Sequence, residues 1–182
     1  MLRYFIPIIT FFLIRPFSLE AQVNLSFETE LNEETNQYCT QIMVCAHKED
    51  VLIGTSSFFI EYNAQALQFK SYKALGFNDE HECPNGRTPY GPQYVDANSA
   101  GVINISIELR DEGAVCPKIE DIPTPIAEIC FDIANNTETS KLRFNEKYTS
   151  VNKAQYNFQT YELIDLEAKN DLLKINIISN KN

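Results

Sequence analysis

An all-β sandwich is the fold class this sequence predicts, on three observations. Short segments of apolar/polar alternation recur along the chain, clusters of Asn, Asp, Gly and Pro separate them, and no long segment sustains a helical period. A strand that is apolar on one face needs a second apolar face to cover it. Two packed sheets are the economical arrangement, here of about nine strands in two antiparallel sheets of jelly-roll type. There is no Trp in the 182 residues, which argues against an immunoglobulin-type sandwich built around that residue.

The first 21 residues are expected to stand apart from the domain. Arg3 precedes the apolar run Tyr4 to Ile14, and Ser18-Leu19-Glu20-Ala21-Gln22 ends the segment in small and polar residues. A basic start, an apolar centre and a small-residue exit read as a secretory signal peptide. A retained anchor is the competing reading, but Arg15 and Pro16 interrupt the apolar stretch before it reaches the ~20 residues of a membrane span. Residues 22–182 then form one domain, expected outside the cytoplasm as a secreted or cell-envelope-associated protein.

Strands are predicted near 23–28, 37–46, 53–62, 67–74, 88–95, 101–110, 125–134, 140–145, 157–165 and 172–178. In the third of these, Phe58, Ile60 and Tyr62 alternate with Phe59 and Glu61. Asn63-Ala64 stops the alternation with a turn, and Leu67 returns the chain to the core. Ile103, Ile105, Ile107 and Leu109 share a face opposite Asn104, Ser106 and Glu108, and Ile129, Phe131 and Ile133 repeat the pattern. Phe58, Tyr62, Leu67, Phe69, Phe131, Leu142 and Phe144 are the expected core. The segment 162–174 resembles a helix superficially but reads better as a strand with a turn at Lys169-Asn170-Asp171, in keeping with the β pattern around it.

Five cysteines suit an exported, disulfide-bonded domain. Cys39 and Cys45 lie six apart on one strand and share its outer face, and Cys130 alternates out of register with the apolar Ile129 and Phe131. A Cys39–Cys130 bridge would therefore join two strands on their outer side. Cys83 and Cys116, both in turn-rich segments, make the second pair and leave Cys45 unbridged. Zinc is the competing use of these residues, but no CxxC occurs and His47 and His81 are the only histidines.

The formal charge of −10 becomes one unit more negative when Arg3 and Arg15 leave with Glu20. Nucleic acid and anionic lipid are disfavoured as partners, because no basic cluster offsets that charge. Catalytic readings are poor. Asp79, Glu80, Glu82, Asp111, Glu112, Glu120 and Asp121 sit in loops with nothing to fix two of them at a glycosidase separation. The calcium loop pattern D-x-[DN]-x-[DN]-G is absent, so the acids read as solvated surface. No cofactor or metal is expected.

The block Ile53 to Leu67, a Gly-led strand running into a short turn that ends in Leu, resembles the cohesin pattern F-x-L-x-Y-D followed by a turn to Leu. Tyr38 to Ala46, Ala100 to Leu109 and Ile126 to Ile133 resemble further cohesin strands in the same order, although Asn63 stands where the family often has Asp. The resemblance implies a non-catalytic β-sandwich that binds another protein domain through an outer sheet face. Carried onto this chain, the contact set is Ser57, Phe59 and Glu61 on one strand with Asn104, Ser106 and Glu108 on another. The partner it implies is an extracellular protein, dockerin-like or a surface protein, bound by a monomer. An alternative is a carbohydrate-binding module of the same fold, recognising polysaccharide through Tyr90 and Tyr94, whose flat rings would stack on sugars. Packing of the two tyrosines against the sandwich edge is the competing reading. Expressed without residues 1–21, the chain is expected to be soluble, monomeric and β-rich without added metal. A strongly helical circular dichroism spectrum, or loss of folding in a chelator, contradicts this.

Overall fold

In a computed structural model the described residues are 22–32, 36–46, 50–111, 116–154, 161–163 and 165–168. The expected signal segment and the expected strand at 172–178 lie outside them. The described elements are all strands: β1 (Gln22–Asn32), β2 (Gln37–Ala46), β3 (Val51–Leu52), β4 (Ser56–Glu61), β5 (Leu67–Ala74), β6 (Tyr94–Asp96), β7 (Val102–Ile107), β8 (Lys118–Ile119), β9 (Thr124–Ile133), β10 (Arg143–Phe144), β11 (Asn152–Ala154), β12 (Tyr161–Leu163) and β13 (Asp165–Ala168). A five-stranded sheet runs β13-β1-β2-β9-β5 and a four-stranded sheet runs β10-β4-β7-β6. The small pairs β11-β12 and β3-β8 complete the set.

Alternation in the sequence becomes alternation in burial. Phe58 and Ile60 on β4, Ile103, Ile105 and Ile107 on β7, and Ile129 and Phe131 on β9 are withdrawn from solvent, while their neighbours are not. Rings join the two sheets across this core. Phe27 of β1 stacks on Phe144 of β10 at 4.2 Å between centroids, and Tyr62 lies 4.9 Å from Phe131. Of the seven residues expected in the core, Phe58, Leu67, Phe131, Leu142 and Phe144 are buried, and Tyr62 and Phe69 pack against it half-buried.

The turn after β4 is organised by Asn63. Its Oδ1 accepts from Gln65 N at 3.1 Å, its Nδ2 donates to Thr139 O at 3.0 Å, and its carbonyl accepts from Ala66 and Leu67 N, each at 2.9 Å. Ahead of β7, Gly101 has φ +84° and its carbonyl accepts from Tyr62 N at 3.0 Å. A side chain there would be strained twice over, by the left-handed backbone and by a Cβ placed 3.2 Å from Tyr62 O.

Several sequence expectations are corrected. The two main sheets are not wholly antiparallel, because β13 pairs with β1 in parallel, Gln22 opposite Asp165. The strand expected over 53–62 is interrupted. Gly54 N donates to Asn152 O at 2.6 Å and Thr55 Oγ1 accepts from Leu109 N at 3.2 Å, so the backbone leaves the sheet between β3 and β4. The strand expected at 88–95 shrinks to Tyr94–Asp96, preceded by a single bridge from Tyr90 to Leu109. Pro89 and Pro92 lack the N–H that a longer ladder needs.

Tyr90 follows the packing reading and not the sugar-binding one. It is 2 % exposed, its hydroxyl donates to Ile53 O at 2.8 Å, and its ring stands edge-on to Phe77 at 5.6 Å. No face of it is open to a sugar. Nearby, Tyr72 of β5 donates to Gln93 Oε1, while Gln93 Nε2 donates to Gly76 O and to Ile126 O. This one amide ties the segment before β6 to the edge of the five-stranded sheet. Ile126 O also accepts from Leu75 N at 3.0 Å, so the amide reinforces a junction that the backbone already makes.

Both expected disulfides form. Cys39 and Cys130 are directly opposed on β2 and β9, with Cα atoms 4.1 Å apart, and Cys83 bridges to Cys116, leaving Cys45 unbridged and half-buried. Non-reducing peptide mapping is expected to recover these two pairs with Cys45 alone alkylated; five alkylatable thiols, or Cys45 paired with Cys130, would contradict it. Replacing Cys39 and Cys130 by Ser is expected to cost about 2–4 kcal/mol in denaturant unfolding.

Burial also holds the phenols of Tyr72 and Tyr90 protonated, raising both pKa values above the ordinary 10.0. Their contribution to stability is complete below a pH of about 10 and is lost as pH rises towards the folded-state values, since the unfolded chain ionises first. In a spectrophotometric titration these phenols are expected to ionise only together with alkaline unfolding. The Tyr72→Phe/Tyr90→Phe double variant should lose that part of the absorbance step; an unchanged step would refute the assignment.

Candidate functional site, an outer sheet face

The β4–β7 pairing sets Ser57 opposite Ser106, Phe59 opposite Asn104 and Glu61 opposite Val102. Because the pleat sends Phe58, Ile60, Ile103 and Ile105 into the core, Ser57, Phe59, Glu61, Asn104 and Ser106 share the outer face of the four-stranded sheet. Ser57 and Ser106 are joined hydroxyl to hydroxyl at 3.2 Å. Asn104 Oδ1 is withdrawn from solvent and has no hydrogen-bond partner among the described residues. Glu108 lies just past the end of β7 and is exposed.

Two neighbouring segments add residues that alternation alone does not reveal. On β6, Tyr94 pairs with Ser106 and Asp96 with Asn104, so both belong to the same face. Tyr94 is 63 % exposed. On the other side, the segment after β10 folds back over β4. Asn145 N donates to Phe59 O at 2.8 Å, and Thr149 Oγ1 accepts from Phe59 N at 3.1 Å. Asn145 Oδ1 accepts from Lys147 N at 3.1 Å and so shapes the turn that delivers Tyr148. The Tyr148 ring lies 5.7 Å from that of Phe59, is itself 54 % exposed, and carries Lys147 Nζ at 5.2 Å from its centroid. Phe59 is thus half-buried beneath a loop, rather than standing clear of its surroundings.

Two acids of this face are matched by guanidinium groups, while Asp96 Oδ1 accepts from Asn98 N at 3.0 Å in its own turn. Glu61 takes Arg143 Nε at 2.6 Å and also bonds Asn145 Nδ2, while Glu108 pairs with Arg110 at 2.8 Å. Surface pairs of this kind contribute little stability, but they cancel local charge. The outer face of the five-stranded sheet differs. There Glu28, Glu30 and Glu128 surround a cleft of about 300 Å³ that Cys39 also lines.

Of the loop acids, Asp111 pairs with Arg87 at 3.2 Å, and Glu112 lies outside the described residues. Among the described residues no group of three or more His, Cys, Asp or Glu could hold a metal ion. Of the two tyrosines weighed for sugar, only Tyr94 is accessible. It stands with the protein-contact set rather than with Tyr90.

No family model and no curated protein matches the sequence. Solved structures do match. The seventh ScaB type I cohesin from Pseudobacteroides cellulosolvens aligns at a TM-score of 0.61 with 17% identity, covering 82% of this chain and 88% of that one. CaCohA2 from Clostridium acetobutylicum aligns at 0.56 with 16% identity over 83% of this chain and 88% of its own. The sixth cohesin of scaffoldin B from Acetivibrio cellulolyticus, solved in complex with a Cel5 dockerin, aligns at 0.56 with 15% identity over 82% and 95%. Agreement over four fifths of the chain identifies the fold as a cohesin-like β-sandwich.

Proposed function

We propose that this chain is an exported, non-catalytic binding module that docks a protein partner, dockerin-like or another extracellular protein, through the outer face of the β10-β4-β7-β6 sheet. The observation that carries the reading is the aromatic pair Phe59 and Tyr148 on an otherwise polar face, where Glu61 and Glu108 are matched by Arg143 and Arg110. A ring held in place by its own loop loses little freedom on binding, and such pre-ordered aromatics are typical interface anchors. The likeness to cohesins supports the reading, since the scaffoldin B cohesin was solved with a dockerin. Export rests on the signal-like first 21 residues and on the two disulfides, which persist in oxidising compartments. An acidic chain with no basic cluster fits an extracellular protein partner better than nucleic acid.

The test is capture of extracellular proteins by the immobilised domain, followed by affinity measurement on whatever is retained. Phe59→Ala is expected to weaken binding by ~1 to 3 kcal/mol while the domain remains folded. Because Arg143 and Arg110 already satisfy Glu61 and Glu108, affinity is expected to vary little with salt. Unchanged affinity in Phe59→Ala, or a steep salt dependence, would overturn this placement.

A further inference from the structure

We propose that the same sheet face also binds a neutral glycan chain, laid across the strands from Tyr148 over Phe59 to Tyr94. Tyr94 and Tyr148 are two of the three large apolar side chains that stay mostly exposed among the described residues, and both lie on this face. Isolated exposed rings are ordinary; two on one face, flanking a third, make a platform. Tyr94 is opposite Ser106, Ser106 is opposite Ser57, and Phe59 is two residues further along β4. Two inter-strand spacings and a two-residue step separate Tyr94 from Phe59 by about 12 Å at the backbone. That exceeds one sugar ring, so the fitting ligand is a chain rather than a monosaccharide.

Between the rings lie groups suited to hydroxyls. The Ser57–Ser106 pair offers donors and acceptors. Charge selects the ligand class. Glu61 and Glu108 are held by Arg143 and Arg110, and the other charges set on this face, Asp96 and Lys147, are opposite in sign, so it offers no excess of negative charge to a cationic polymer. The acidic chain as a whole repels an anionic one. A neutral, extended glycan, apolar on its ring faces and polar at its rim, is what remains. This inference stands apart from protein docking, although the two ligands would compete for Phe59.

The intact chain is to be titrated with neutral β-1,4-linked hexasaccharides of glucose, xylose and mannose, and with polygalacturonate as the anionic control. Tyrosine fluorescence is the readout, which no Trp obscures. At least one neutral hexasaccharide is expected to bind with an affinity unchanged between low and high salt. Tyr94→Ala and Tyr148→Ala should each weaken it about tenfold, whereas Tyr94→Phe, which keeps the ring, and Tyr90→Phe, which lies in the core, should not. Thermal melts of the exposed-site variants are expected to match the parent. Failure of all three neutral probes, binding that survives the Tyr94→Ala/Tyr148→Ala double variant, or binding of polygalacturonate alone would each overturn the glycan proposal. Loss of captured protein in Phe59→Ala reports on docking separately, so the two readings fail independently.

Discussion

The register of β4 against β7 governs everything that this molecule presents to a partner. With Ser57 opposite Ser106, every second residue on both strands goes to the core, and the remainder assemble into one outward surface. A slip of one residue would bring Phe58 and Ile105 to the surface and push Glu61 into the apolar interior, a cost no local contact could offset. The register is fixed at both ends. Tyr62 N bonds Gly101 O at one, and Leu109 N bonds Thr55 Oγ1 at the other, so the pair cannot slide without losing both. Flanking segments then inherit that register: β6 delivers Tyr94 through Ser106, and the loop after β10 delivers Tyr148 through the backbone of Phe59.

Much of this was legible in the sequence because period two is a strong signal wherever a strand buries one face. The stretch from Ser56 to Leu67, with its Asn-led turn, folds as its residues suggest, and the outer positions of Cys39 and Cys130 on their strands foretold the bridge between them. Legibility ended where structure depends on residues distant in sequence. Alternation says nothing about strand direction, so the parallel pairing of β13 with β1 was invisible. The break at Gly54 and Thr55 depends on Asn152 and Leu109 as partners. Tyr90 and Tyr94 look alike in a Pro-rich loop, yet one is inserted under Ile53 and the other faces solvent. Tyr148 carried no periodic signal at all, because a loop places it.

Charge organises the surface as much as packing organises the core. On the four-stranded sheet Glu61 and Glu108 pair with guanidinium groups of the same chain, whereas the five-stranded sheet gathers Glu28, Glu30 and Glu128 around one cleft on its outer side. A molecule of formal charge −10 thus shows one locally balanced face and one acidic face. An acidic body is repelled more strongly from the side of that cleft than from the balanced face. Orientation is in this way biased before any contact is made.

The bridge from Cys39 to Cys130 spans 91 residues of sequence while joining immediate neighbours in space, and the bridge from Cys83 to Cys116 is nested inside that span. A peptide bond cut anywhere between the outer pair therefore yields two segments that remain covalently attached across the β2–β9 ladder. The loop at 79–88, with exposed Asp79, Glu80, Asn85 and Gly86, and the turn at 120–123, with exposed Glu120 and Asp121, are natural targets for extracellular proteases. A nick there would leave the sheet face, its strands and its aromatic rings still attached to one another, so that the module could persist among proteases in a cleaved form.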